Sequence, residues 1–187
     1  ENELINMIKT SILIDDRPSS FRFPRGLGLG QNKEQSNFPL EIGKGRIINE
    51  GNSIALLNFG ARLGACQDAV KYLSRQGFKI TLADARFAKP FDIDLMDRIL
   101  DNHEYVLTIE EGSIGGFSSI VLDYIHNKRK KNTISKIQNL IFPDKFIDHN
   151  SPENQYKEIG MDAKSIEKKI LSMIALEEID LKKFENV

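Results

Sequence analysis

Apolar and polar residues alternate in a regular way from residue 54 to the end of the chain. The run 54–59 is nearly continuous in apolar residues, as expected for a strand that is buried on both faces. Between such runs, apolar residues recur at helical spacing. Strands and helices that alternate in this way predict an α/β fold with a mostly parallel sheet and right-handed crossovers. The predicted strands are 54–59, 78–83, 105–109 and 137–142.

Capping residues mark where several predicted helices begin and end. Gly77 stands where the C-terminus of a helix favours left-handed backbone. Asp92 is placed to cap the helix after the second strand. Ser151 and Pro152 fit the N-cap and first position of a short helix, and Asp162 is expected to cap a long last helix.

The first 45 residues follow a different pattern. Residues 4–12 have apolar side chains at helical spacing and predict a short amphipathic helix, and residues 21–23 predict a short strand. Residues 26–45 contain five glycines and are the best candidate for an interdomain linker. The sequence does not begin with Met, so we expect a piece of a longer protein, although trimming would give the same beginning.

Composition excludes several classes of protein. The chain has 187 residues, which suits one domain with a tail or a fragment of another. Its net charge of −1 predicts no broad attraction to nucleic acid or to an anionic membrane. Cys66 is the only cysteine, which excludes an internal disulfide and fits a cytoplasmic location. No apolar run approaches the roughly 20 residues that span a bilayer.

Polar residues follow the second and third predicted strands. In an open α/β sheet, ligands usually bind beyond the carboxyl ends of the strands. Asp84, Arg86, Glu110 and Glu111 stand at such ends, and we expect them to gather on one edge of the sheet. They form either a site for a polar ligand or a structural feature, namely an ion-pair network or a subunit interface.

Two further segments carry candidate chemistry. Residues 112–117 join a strand to a helix, and the amides there could hold an anion, but we favour a tight turn that lets the helix approach the sheet. The spacing is neither a Walker loop nor a dinucleotide fingerprint. Arg25 lies between Pro24 and Gly26, and a guanidinium is well shaped to bind a phosphate, but it is also a common surface residue.

The remaining candidates for chemistry are interpreted as structural. The three histidines show no metal-ligand spacing and are expected at the surface or satisfied in the core. Cys66 falls on the apolar face of a helix and is expected in the core. The three histidines without metal-ligand spacing are His103, His126 and His149.

Five segments, in order along the chain, resemble the 1-deoxy-D-xylulose-5-phosphate synthase family. Segment 21–26 reads Phe-Arg-Phe-Pro-Arg-Gly and resembles that family's Arg-Tyr-Pro-Arg-Gly. Segment 84–92 is similar to Asp-x-Arg-Phe-x-Lys-Pro-Leu-Asp, and segment 110–117 to Glu-Glu-Gly-x-x-Gly-Gly. Segments 42–51 and 143–149 resemble the entry into the last domain and the region before the final helices. The sequence departs from the family at Phe23 (usually Tyr), Phe91 (usually Leu) and Ser118 (commonly Gly).

The resemblance implies the last part of a three-domain enzyme of the transketolase type. Residues 1–40 would be the tail of the middle, pyrimidine-binding domain and a linker, and residues 41–187 the C-terminal domain. The implied enzyme is a homodimeric transferase that joins pyruvate to D-glyceraldehyde 3-phosphate with loss of carbon dioxide. This reaction supplies isoprenoid, thiamine and pyridoxal biosynthesis. Arg25 matches a family arginine that holds the substrate phosphate.

The resemblance also implies what this chain lacks. The family binds thiamine diphosphate and Mg²⁺ through a Gly-Asp-Gly motif, which does not occur here, and its activating glutamate lies upstream. We therefore expect no catalytic residue, no cofactor and no turnover in the isolated chain, whose partners would be the missing N-terminal and middle domains. Two alternatives stay open: the C-terminal domain of a 2-oxo acid dehydrogenase E1 β subunit, or a non-catalytic dimerisation or regulatory module.

Overall fold

The four strands predicted from residue 54 onward and one further strand form a five-stranded sheet with the strand order β1-β3-β2-β4-β5. The computed structural model describes residues 1–24, 30, 38–52, 54–129, 132 and 135–184, with only the backbone described from 176 onward. Strands β2 to β5 run parallel, and β1 pairs antiparallel with β3. The predicted α/β fold with a mostly parallel sheet is confirmed. The strands are β1 (Arg46–Asn49), β2 (Ile54–Phe59), β3 (Ile80–Asp84), β4 (Tyr105–Glu110) and β5 (Lys136–Leu140).

Helices cover both faces of the sheet. Helices α2 and α6 pack on one face and α3 and α4 on the other, so that alternate residues of β2 enter two separate cores. This double burial is why 54–59 is apolar at nearly every position. The helices are α1 (Asn2–Ile12), α2 (Leu63–Arg75), α3 (Ile93–Asn102), α4 (Phe117–Asp123), α5 (Pro152–Glu158) and α6 (Ala163–Phe184), and a π-helix (Tyr124–Lys128) continues α4.

Local signals in the sequence act at the predicted helix ends. Gly77 has φ +93° and follows Gln76, the C-cap residue of α2. The Asp92 carboxylate accepts a hydrogen bond from Leu95 N, and Ser151 caps α5 in the same way. Asp162 precedes α6, and its backbone carbonyl accepts a hydrogen bond from Ile166 N, but its Oδ1 has no hydrogen-bond partner among the described residues.

The structure differs from the local predictions in two places. The strand predicted at 21–23 is wrong, because these residues pair with no strand, and Phe21 and Phe23 stack on each other at 6.4 Å instead. Strand β1 (Arg46–Asn49) was not predicted, since four residues are too few for a period-two pattern. Within the ranges given above, no helix combines the length and apolar character that a membrane crossing requires.

Candidate functional site at the carboxyl edge of the sheet

The carboxyl ends of β2, β3 and β4 lie side by side and carry four of the five predicted site residues. Asn58 of β2 is in register with Asp84 of β3, and Phe59 with Glu110 of β4. Glu111 directly follows β4, and Arg86 comes two residues after the end of β3. Arg25 lies outside the described residues, so its predicted phosphate-binding role remains a prediction.

Asp84 and Arg86 belong to an ion-pair network that reaches helix α1. Glu3 of α1 accepts two hydrogen bonds from Arg86, at 2.8 Å (Nε to Oε2) and 3.0 Å (Nη2 to Oε1). Arg46 Nη1 lies 2.8 Å from Glu3 Oε1, and Arg46 also pairs with Asp84 at 3.1 Å. We call Glu3, Arg46, Asp84 and Arg86 the α1 clasp.

The backbone and the electrostatics of the clasp are both unusual. Arg86 has φ +57°, a left-handed conformation that is uncommon outside glycine and that often accompanies functional constraint. Its backbone N–H donates to Asp84 Oδ1 at 3.3 Å. Burial raises the pKa of the Asp84 carboxyl, and the Arg46 guanidinium acts against that rise.

Glu110 is buried and caps helix α4. Its Oε2 accepts a hydrogen bond from Phe117 N at 2.8 Å, and its Oε1 accepts one from Ser118 N at 2.7 Å. Two of the amides at the start of α4 are therefore paired with a carboxylate from the same chain. This pairing favours the tight turn over an anion site at 112–117.

The close approach of Glu110 explains two glycines in this turn. A Cβ at Gly112 or at Gly116 would lie 2.4 Å from Glu110 Oε2, a distance that no real side chain tolerates. Gly115 adopts φ +95°, where glycine is favoured for its backbone alone. The Glu-Glu-Gly-x-x-Gly-Gly pattern thus has a structural reason: its glycines leave room for a buried carboxylate to contact the N-terminus of a helix.

Glu111 lies in a separate cluster that attaches helix α5 to the edge. Arg62 Nε contacts Glu111 Oε1 at 3.0 Å, and the Tyr156 hydroxyl donates to the same oxygen at 2.6 Å. The Arg62 guanidinium carbon lies 3.3 Å from the centre of the Tyr156 ring, a cation–π contact. Burial, then the hydrogen bond to Glu111, raises the pKa of Tyr156 to about 12.

The four predicted residues share an edge but do not converge on one point. Asp84 and Arg86 contact each other within the α1 clasp, whereas Glu110 and Glu111 belong to two other groups. Their partners Glu3, Arg46, Arg62 and Tyr156 were not predicted. For Glu3 a signal exists in the sequence, because it neighbours a polar stripe of α1 that Asn2, Asn6 and Thr10 form.

The other candidate residues have structural surroundings. His103 is buried, and its ring nitrogens contact Thr81 Oγ1 at 2.7 Å and the Ile99 carbonyl oxygen at 2.9 Å. Cys66 lies in the core, where burial raises the pKa of its thiol to about 12. His126 and His149 are exposed. In the part of the chain that the structure describes, no group of three or more His, Cys, Asp or Glu side chains could hold a metal ion.

Comparison with known proteins identifies a family. The model of the family "Transketolase, C-terminal domain" matches residues 43–166. A split-gene transketolase, solved as an inactive beta4 tetramer, is similar with a TM-score of 0.64 and 21% identity over 72% of this chain and 43% of that one. A transketolase from Campylobacter jejuni subsp. jejuni is similar with a TM-score of 0.51 and 15% identity, over 70% of this chain and 18% of that one. The chain therefore spans less than half the length of either protein.

Proposed function

This chain belongs to the transketolase C-terminal domain family, and we propose that it forms the C-terminal part of a cytoplasmic 1-deoxy-D-xylulose-5-phosphate synthase. Such an enzyme joins pyruvate to D-glyceraldehyde 3-phosphate with loss of carbon dioxide. Residues 41–187 would be its last domain, and residues 1–40 the tail of the middle domain and a linker. The active enzyme would be a homodimer whose other domains hold thiamine diphosphate and Mg²⁺.

The segments quoted above favour the synthase over its relatives. The Arg-Phe-Ala-Lys-Pro run at 86–90 and the Pro-Arg-Gly run at 24–26 resemble the synthase more closely than the E1 β subunit of 2-oxo acid dehydrogenases. In this proposal Arg25 holds the phosphate of the aldehyde substrate through paired hydrogen bonds and so orients the aldehyde.

The observation that carries the domain division is the orientation of α1. Its buried residues are polar (Asn2, Asn6 and Thr10), and they form one stripe that faces the rest of the chain. On the opposite side of the helical wheel, Ile8 is partly exposed and Ile12 is 68% exposed. A helix that belonged to the 41–187 core would bury the apolar side instead.

This reversed orientation supports a second hydrophobic core outside residues 41–187. Full burial of an isoleucine side chain contributes about 1.5–3 kcal/mol, so an exposed apolar face is a substantial loss unless another domain covers it. A middle domain that receives this face, while α1 keeps its polar face on the last domain, accounts for both sides of the helix.

The residues described here do not fit a thiamine diphosphate and Mg²⁺ site. The acidic side chains on the carboxyl edge are already engaged: Asp84 by Arg46, Glu111 by Arg62 and Glu110 by backbone amides. No Gly-Asp-Gly sequence occurs in the chain. Residues 41–187 would therefore hold the neighbouring domains in position and would not supply a catalytic group.

The deciding experiment is an assay of the full-length protein that contains this chain. With thiamine diphosphate and Mg²⁺ it should form 1-deoxy-D-xylulose 5-phosphate from pyruvate and D-glyceraldehyde 3-phosphate. Arg25→Ala should raise KM for the phosphorylated aldehyde and leave KM for pyruvate unchanged, and Arg22→Ala is the matched control. Reductive acylation of a lipoyl domain, without synthase activity, would instead support the dehydrogenase.

A matched experiment tests the role of the chain by itself. Calorimetry with the 187-residue chain should show no binding of thiamine diphosphate in the presence of Mg²⁺. Tight binding would refute the proposal that the cofactor site lies in other domains. Sedimentation of the same chain at several concentrations tests the dimerisation alternative, which a monomer at all concentrations would contradict.

A further inference from the structure

We propose that Arg46 and Arg86 form a carboxylate receptor built into the carboxyl edge of the sheet, and that Glu3 is its ligand. Through this one side chain, the last domain would fix the orientation of α1. The inference rests on the proposed function in one respect, the assignment of α1 to a neighbouring domain. Glu3, Arg46 and Arg86 would thus be positioning residues at an interdomain contact.

The sheet contacts one arginine of the receptor through its side chain and the other through its backbone. Arg46 begins β1 and directs Nε and Nη2 to Asp84 Oδ2, at 3.2 and 3.1 Å. The other oxygen of Asp84 accepts the backbone N–H of Arg86, which follows β3 in its left-handed conformation. A single buried aspartate therefore contacts the guanidinium of Arg46 and the backbone of Arg86.

The geometry of the receptor matches one carboxylate. Arg86 presents Nε and Nη2 to the two oxygens of Glu3, which is the paired arrangement that only a planar guanidinium offers. Arg46 Nη1 adds a third contact, to the oxygen that Arg86 Nη2 also reaches. The side chains of Arg86 and Glu3 are 17% and 29% exposed, so water screens this pair only in part.

Thr10 and Asn6 also lie on the inner face of α1. The Thr10 hydroxyl donates to the Asn6 carbonyl within the helix, and it accepts a hydrogen bond from Leu40 N at 2.7 Å. Asn6 Oδ1 is buried without a hydrogen-bond partner among the described residues. The buried residues of this face are polar, so the proposed receptor would act on α1 through charge and hydrogen bonds and not through apolar burial.

Hydrogen exchange of the 187-residue chain tests the receptor directly. Glu3→Gln keeps the size of the side chain and removes its charge, and Arg86→Lys keeps a charge but removes the paired geometry. Each should speed the exchange of amides 5–12 by about tenfold or more and leave the amides of β2 and β4 unchanged. Glu50→Gln is the matched control, because Glu50 pairs with Arg98 at an exposed site.

Two further results discriminate a shared contact from separate effects. The double variant Glu3→Gln with Arg86→Lys should exchange no faster in α1 than the more affected single variant, because both substitutions act on the same contact between residues 3 and 86. Unchanged exchange of α1 in Glu3→Gln, or a change equal to that of the Glu50→Gln control, would overturn the inference. Glu3 lies outside the core, so this variant remains informative if Arg86→Lys fails to fold.

The outcome is independent of the synthase assay. Exchange in the isolated chain involves no substrate or cofactor, so a failed receptor and a failed synthase assignment give different results. If α1 exchanges rapidly in the variants and the full-length protein lacks synthase activity, the receptor inference is supported and the proposed synthase function is rejected.

Discussion

Replacement of Glu110 by glutamine tests how the carboxyl edge is built. The native carboxylate is 3% exposed and accepts hydrogen bonds from Phe117 N and Ser118 N. In Glu110→Gln, one oxygen becomes an NH₂ group that cannot accept, so one buried amide loses its partner. That loss costs about 1–3 kcal/mol, and the lost charge beside a helix N-terminus adds about 0.3–1 kcal/mol. The lower desolvation cost of a neutral amide offsets part of this sum, which leaves a net loss of about 2 kcal/mol.

Urea unfolding followed by circular dichroism measures this loss, since the chain has no tryptophan to report by fluorescence. For a chain of this size the melting temperature should fall by about 4–8 °C. Glu104→Gln is the matched control, because Glu104 and Lys136 form an exposed pair at 3.7 Å, and it should change stability by less than about 0.5 kcal/mol. Equal stability of the two variants would refute the cap as a source of stability.

Three smaller predictions follow from the same structure. Because the pKa of Cys66 is raised to about 12, roughly one thiol in ten thousand is ionised at pH 8, so a thiol reagent should label the chain only in urea. Rapid labelling of the folded chain would contradict its burial. Gly116→Ala places a methyl group 2.4 Å from the capping carboxylate and should lower the free energy of unfolding by about 2 kcal/mol. In Gly64→Ala, the added methyl group meets nothing within 4 Å inside α2, so the free energy of unfolding should rise by about 0.5–1 kcal/mol. Equal effects of the two glycine substitutions in chemical denaturation would refute the steric argument. Tyr156→Phe loses one hydrogen bond to a carboxylate and should cost about 1 kcal/mol by the same method; an unchanged stability would show that the hydroxyl contributes nothing.

The parts of the fold that are set by local sequence were predicted well. Strand β2 follows from a continuous apolar run, because both of its faces are buried. The start of α3 follows from Asp92, whose cap involves residues only three apart. Strand β1 is different, since its four residues become a strand only by pairing with β3, more than thirty residues later. The local sequence pattern does not predict such a long-range pairing.

The same distinction holds for the carboxyl edge. Asp84, Arg86, Glu110 and Glu111 could be located there because parallel strands end at a common edge. The polar stripe of α1 marks the neighbourhood of Glu3, but its pairing with Arg86 could not be deduced. The two residues lie 83 positions apart, and the pattern does not specify where α1 packs. Charge and polarity alone predict that such residues are paired, and the packing of α1, α4 and α5 identifies the partners.

The direction of β1 determines which end of the sheet receives the preceding chain. Arg46, at the start of β1, lies opposite Asp84, at the end of β3, because the two strands run against each other. A parallel strand at this place would deliver residues 1–45 to the far end of β3, roughly 15 Å away at about 3.3 Å per residue. The four-residue antiparallel strand β1 thus places the preceding chain at the carboxyl edge of the sheet, where the loops that follow the parallel strands lie. A sheet with this topology can share its loop-bearing side with an upstream neighbour without a long connection around its edge.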